Sequence, residues 1–163
     1  MANGTIGLSH AHFMGEAVRL SRENMQAGRG GPFGAVVVRD GVVIGEGWNQ
    51  VTTTNDPTAH AEIVAIRRAC EAIGGFSLQG ATIYSSCEPC PMCLAAVYWA
   101  RLDGLYYANT RDQAAGIGFD DEFLYREVAK PIDQRSIPTI HLPTSEAEKV
   151  FDEWSKKPDK IPY

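Results

Sequence analysis

The chain reads as an α/β protein, a three-layer α/β/α sandwich around a mixed central sheet of about five strands. Three observations carry that reading. Apolar residues recur at helical spacing in several long blocks, and short β-branched runs stand between them. After an opening helix and hairpin, the two kinds of segment alternate. At 163 residues, with 44% hydrophobic and 21% charged residues, the chain suits one domain spanning residues 1–163. A domain of that length buries roughly 70% of its unfolded surface and needs no staples.

Residues 9–27 carry Phe13, Ala17, Val18, Leu20 and Met25 among polar side chains, which makes an amphipathic first helix. The glycine-rich stretch 28–34 breaks it. Residues 35–38 and 42–44, nearly all valine or isoleucine, flank Arg39-Asp40-Gly41 and predict a hairpin with Asp-Gly in its loop. A polar loop spans 49–58, and an alanine-rich helix follows from about 59 to 73. Residues 81–84 predict a strand that ends just before a cysteine cluster. Residues 90–101 read as a helix and 104–107 as the next strand. Helices over 121–130 and 145–156 bracket a short fifth strand at 137–141, and 157–163 is a polar tail with two prolines.

His60-Ala61-Glu62 is followed by Pro89-Cys90-Pro91-Met92-Cys93. One imidazole and two thiols are a donor set that suits Zn²⁺, and three protein ligands leave the fourth tetrahedral position open for chemistry. His60, Cys90 and Cys93 are therefore the candidate metal ligands, with Zn²⁺ as the cofactor. Cys90 and Cys93, at i and i+3, share one face of a helix whose start tolerates Pro89 and Pro91. Glu62 is the candidate catalytic acid and base, provided that His60 lies at an irregular first turn so that both side chains face the metal. The H-x-E then P-C-x-x-C pattern is the signature of zinc-dependent base deaminases. The plainer alternative is a structural zinc-binding module, closed as a Cys₃His shell by Cys87. That alternative leaves Glu62 without a purpose. Cys70 reads as core filling, His10 and His12 as surface residues, and His141 as structural.

The net charge of −5 argues against a dominant phosphate-binding surface, so no nucleic-acid partner is expected. Residues 1–10 show neither a basic leader nor an apolar core of a signal peptide, and no apolar run approaches the roughly 20 residues needed to span a bilayer. Three of the four cysteines fall between positions 87 and 93, which reads as metal binding in a reducing compartment. A cytoplasmic location without a membrane partner is expected.

Gly30-Gly-Pro-Phe-Gly-Ala35, Asn55-Asp-Pro-Thr-Ala-His-Ala-Glu62, Ser86-Cys-Glu-Pro-Cys-Pro-Met-Cys93, Tyr98-Trp-Ala-Arg101 and Gly118-Phe-Asp-Asp121 resemble the bacterial guanine deaminases, a branch of the cytidine-deaminase-like superfamily. The resemblance runs from residue 30 to about 125, and the terminal Tyr163 fits it too. It implies hydrolysis of a small purine base, guanine, to xanthine and ammonia by a homodimer. It also implies that Phe33 packs on the purine ring and that Asn49 bonds its edge; core packing and turn capping are their respective alternatives. Asp121 would recognise guanine N–H groups or assist proton transfer, with helix capping as its alternative. In that family the C-terminal segment, here about 143–163, covers the active site and is often exchanged between subunits, which makes Tyr163 a site residue. Trp99 reads as core or subunit interface. The rival enzymes are a tRNA adenosine deaminase and a guanosine or aminotriazine deaminase.

Overall fold

The structure, a computed structural model, describes residues 6–163, with side chains described from His10 onward. The reading of residues 1–10 as free of a leader falls largely outside them. The chain divides into two units, Met1–Arg126 and Glu127–Tyr163.

In the first unit, β1 (Gly34–Arg39) and β2 (Val42–Trp48) pair antiparallel around Asp40 and Gly41. Both turn residues have positive φ, 51° and 77°, as a two-residue turn of the I′ type requires. The register shifts between Val37 and Val38, a bulge that leaves Ile44 as the extra residue of β2. β3 (Ala81–Cys87) pairs antiparallel with β1, and β4 (Gly104–Asn109) lies parallel to β3, so the sheet is mixed with order β2-β1-β3-β4.

Side chains alternate between the two faces of the sheet. Val36, Val38 and Tyr84 pack with Phe13, Ala17 and Leu20 of α1 (Ile6–Gln26). Ala35, Val37 and Ile83 pack with Ala61, Ala65 and Ala69 of α3 (Ala61–Ile73) and Val97 of α4 (Pro91–Trp99). Helix, sheet and helix make the three layers expected. Cys70 is half-buried against the second cluster. His12 is exposed, but His10 is not a free surface residue. Its Nδ1 is hydrogen-bonded to the Tyr84 hydroxyl at 2.7 Å and its ring lies 4.5 Å from that of Tyr106.

Glycine sets how closely α3 lies on β2. A Cβ added at Gly47 would stand 2.1 Å from the Ala61 carbonyl oxygen, and one at Gly45 2.4 Å from that of Ala65. Only residues without a side chain allow that approach. Because α3 begins right after His60, the glycines of β2 help to place the metal-binding end of the helix.

Two short helices interrupt segments that read as loop. They are α2 (Val51–Thr54) and α5 (Arg111–Ala115), the latter closed by a capping box between Thr110 and Gln113. α6 (Asp121–Ala129) follows.

The second unit holds a 3₁₀ turn (Ile132–Gln134) and α7 (Ser145–Lys156), whose N-cap Thr144 accepts from the Ala147 amide. Here the fifth strand fails: residues 137–141 are irregular, and among the described residues the sheet has four strands. Pro138 has no N–H to give a ladder, and Pro143 stands two residues beyond the segment. His141 lies exposed in this stretch. The Ser136 amide and hydroxyl, just before it, both donate to the Glu127 carboxylate at 2.8 Å. Among the described residues no helix is long and apolar enough to cross a membrane.

Candidate metal centre and cleft

Two helix N-termini meet at one corner of the first unit. His60 is the N-cap of α3 and Cys90 the N-cap of α4. Both have extended backbones (ψ 157° and 168°), and Pro91 fills the first position of α4. An extended cap followed by a helical residue re-aims the side chains, so that His60 and Glu62 both face the same cleft although they are only two residues apart. The positive ends of both helices favour anionic sulfur here.

The ligating atoms of His60, Cys90 and Cys93 lie within 4.8 Å of one another. His60 Nδ1 is 3.6 Å from the sulfur of Cys90 and 3.6 Å from that of Cys93. Zinc legs of about 2.3 Å to sulfur and 2.0–2.1 Å to nitrogen, opened to the tetrahedral angle, span about 3.6 Å. The two nitrogen–sulfur distances thus suit zinc, which these three side chains would hold while supplying no fourth ligand.

Cys87 is not part of this group. Its sulfur points to the Thr110 carbonyl oxygen at 3.8 Å, and burial pushes its thiol up to about 11. Donation from Cys93, with His60 alongside, holds the Cys90 thiol down to about 4, a thiolate at neutral pH. The same contact with Cys90 raises Cys93, and Cys90 raises His60. The group already carries one anionic sulfur, the form a metal ligand must take.

Glu62 is 6% exposed. The Ser85 hydroxyl donates to its Oε1 at 3.3 Å, and burial raises its carboxyl above the usual carboxylate range. It lines a cavity of about 480 Å³ together with His60, Cys90, Phe33, Asn49 and Asp121. That volume suits a small ligand. Phe33 meets Phe119 edge-on at 4.8 Å, so the cleft has an aromatic wall of two rings. Asn49 is buried, and its Oδ1 accepts from the amides of Gly31 and Val51 at 3.4 and 3.3 Å. Turn capping therefore occupies its carbonyl and leaves the NH₂ group uncommitted by those bonds. At α6 the capping oxygen belongs to Asp120, which accepts from the Phe123 amide at 3.2 Å. Asp121, next in sequence, turns into the cleft, where burial raises its carboxyl.

Tyr163 belongs to the second unit and is 73% exposed. Trp99 is 65% and Tyr98 77% exposed, which removes Trp99 from the core of the chain. Phe119, Glu88 and Ser85 are site residues that the sequence reading did not single out. Only Phe119 left a signal, inside the Gly118-Phe-Asp-Asp121 stretch.

Residues 8–109 match the cytidine and deoxycytidylate deaminase zinc-binding region. The chain is 49% identical to guanine deaminase of Bacillus subtilis (strain 168) over 156 residues, covering 96% of this chain and all of that one. The X-ray structure of guanine deaminase from Bacillus subtilis superposes with a TM-score of 0.92 over 94% of this chain and 98% of that one. A tRNA-specific adenosine deaminase of Agrobacterium fabrum is 54% identical over 76 residues, 47% of this chain and 50% of its own length.

Proposed function

The chain belongs to the cytidine and deoxycytidylate deaminase zinc-binding family, and from that premise we propose that it hydrolyses the 2-amino group of guanine, giving xanthine and ammonia. The observation that carries this reading is Glu62: a buried carboxylate, outside the ligand set, facing the cleft beside His60 and Cys90. His60, Cys90 and Cys93 would hold the zinc ion, which when bound would supply Lewis acidity to lower the pKa of water.

Glu62 takes one proton of the attacking water as the new C–O bond forms at C2 and passes it to the neighbouring ring nitrogen. It then takes the second proton, from the new C2 hydroxyl, and gives it to the amino group as the C2–N bond breaks, leaving a C2 carbonyl and ammonia. A carboxyl raised by burial works both ways in that exchange. Ser85 holds one oxygen of Glu62 and leaves the other to carry the proton. Phe33, with Phe119 edge-on to it, packs on the purine ring. The NH₂ of Asn49 donates to acceptors on the purine edge, and Asp121 accepts from the N–H groups that distinguish guanine. Tyr163 and the segment 143–163 cover the cleft, in their own subunit or a partner's. The exposed Phe151, Val150 and Trp154 of α7 support that covering role.

A homodimer is proposed on α4, which is apolar all round yet leaves Tyr98 and Trp99 exposed. A cytoplasmic location is supported by four cysteines that form no disulfide.

Ammonia release from guanine, guanosine, adenine, cytosine and ammeline tests the reading. Guanine is the expected substrate, and Glu62→Gln should lower its turnover by roughly 10²–10⁴-fold with zinc retained. Equal rates for wild type and Glu62→Gln would overturn the proposal. Release from a tRNA adenosine but not from guanine would favour the RNA-acting relatives, against which the net charge of −5 counts.

A further inference from the structure

Between β3 and α4 the chain passes through Glu88-Pro89-Cys90, outside strand and helix, so the polar groups of this turn need partners from elsewhere. Three hydrogen bonds join it to residues 109–125. The Glu88 amide donates to the Asn109 carbonyl at 2.7 Å, and the Arg111 amide donates to the Glu88 carboxylate at 3.0 Å. The Tyr125 hydroxyl donates to the Pro89 carbonyl at 2.8 Å. The Arg111 guanidinium lies 4.8 Å over the Tyr125 ring, with Nε 3.9 Å from Glu88. Tyr125 stands four residues after Asp121 on α6, so the two side chains share a helix face. One face of α6 therefore carries both a cleft-lining carboxylate and the donor that grips the residue before Cys90.

We propose that Tyr125 is a positioning residue for the deamination: its hydroxyl ties α6 to the turn that carries Cys90 and holds the Asp121 carboxylate in register with the His60–Cys90 corner of the cleft. The inference rests on the deaminase reading above and adds a residue that touches neither the substrate nor the metal. Tyr125→Phe is the apt variant, because it keeps the ring beneath Arg111 and deletes only the hydroxyl.

Wild type, Tyr125→Phe, Asp121→Asn and the double variant are compared for kcat and KM on the base that wild type deaminates best, for zinc content and for Tm. Tyr125→Phe should lower kcat/KM by about tenfold, chiefly in kcat, a fraction of the roughly hundredfold that a 1 Å misplacement costs. Zinc content should match wild type. In the Asp121→Asn background the same change should cost less than about twofold, since the partner it acts through is gone. Three results overturn the positioning role alone: Tyr125→Phe as active as wild type, the same tenfold loss in both backgrounds, or loss of zinc from Tyr125→Phe. A wild type that releases ammonia from no purine base overturns the deaminase reading, and the positioning role with it.

Discussion

Cys87 separates an open zinc site from a closed one, because a sulfur three residues before Cys90 is what a closed structural shell would use. Its side chain instead turns to the Thr110 carbonyl and keeps its proton. Cys87→Ala should therefore retain about one zinc per chain after dialysis, whereas Cys90→Ala, with only two ligands left, should lose it. Metal analysis of the two variants decides between them; equal loss from both would mean a third sulfur at the metal. The donor set was legible in the sequence because metal-ligand spacing is local. The choice between Asp120 and Asp121 was not. Adjacent aspartates at a helix start are equivalent until the first turn fixes which one reaches the Phe123 amide. Ser85 was invisible for a different reason, since its partner Glu62 lies 23 residues away and the two meet only once β3 lies beside α3.

Helix α3 owes its place to β2, and Gly47 is where that dependence is sharpest. A methyl group there would stand 2.1 Å from the Ala61 carbonyl oxygen and 2.5 Å from the Ala65 amide nitrogen, both backbone atoms that cannot turn aside. Gly47→Ala should cost about 1–3 kcal/mol as α3 is pushed off the sheet, lowering Tm by roughly 3–10 °C. Turnover should fall more than stability does, because the shifted end carries His60. A variant with wild-type Tm and turnover would refute the close approach. Elements were readable wherever hydrophobic period and turn chemistry agreed, as at Asp40-Gly41 between two β-branched runs. α5 was legible in principle, since Thr110-x-x-Gln113 is a capping box, but its helix is too short for a periodic signal. α2, made of Val51 and three threonines, runs against helix propensity and is held by its surroundings. The segment 137–141 misled in the opposite sense. Its apolar residues suggested a strand, while Pro138 withholds the hydrogen bond a strand needs.

For the molecule as a whole, layer order followed from the alternation of segments, but strand order did not. Nothing local says that β1 sits between β2 and β3, or that β4 runs parallel to β3. The second unit is where sequence and structure speak least to one another. Its apolar side chains on α7 and its final Tyr163 are exposed, and the proposal that they cover the cleft has a direct test. Removing residues 161–163 should lower kcat/KM for guanine strongly, by roughly tenfold or more if the segment excludes water from the reaction. Zinc content should stay unchanged, and unaltered kinetics in that truncation would end the covering role. Deamination at this site requires a zinc with three protein ligands and a fourth position that the protein leaves open. X-ray absorption at the zinc edge of the metal-loaded protein tests it most directly. Two sulfur neighbours at about 2.3 Å and two nitrogen or oxygen neighbours at about 2.0–2.1 Å are expected; three sulfurs around the metal would rule out the open site.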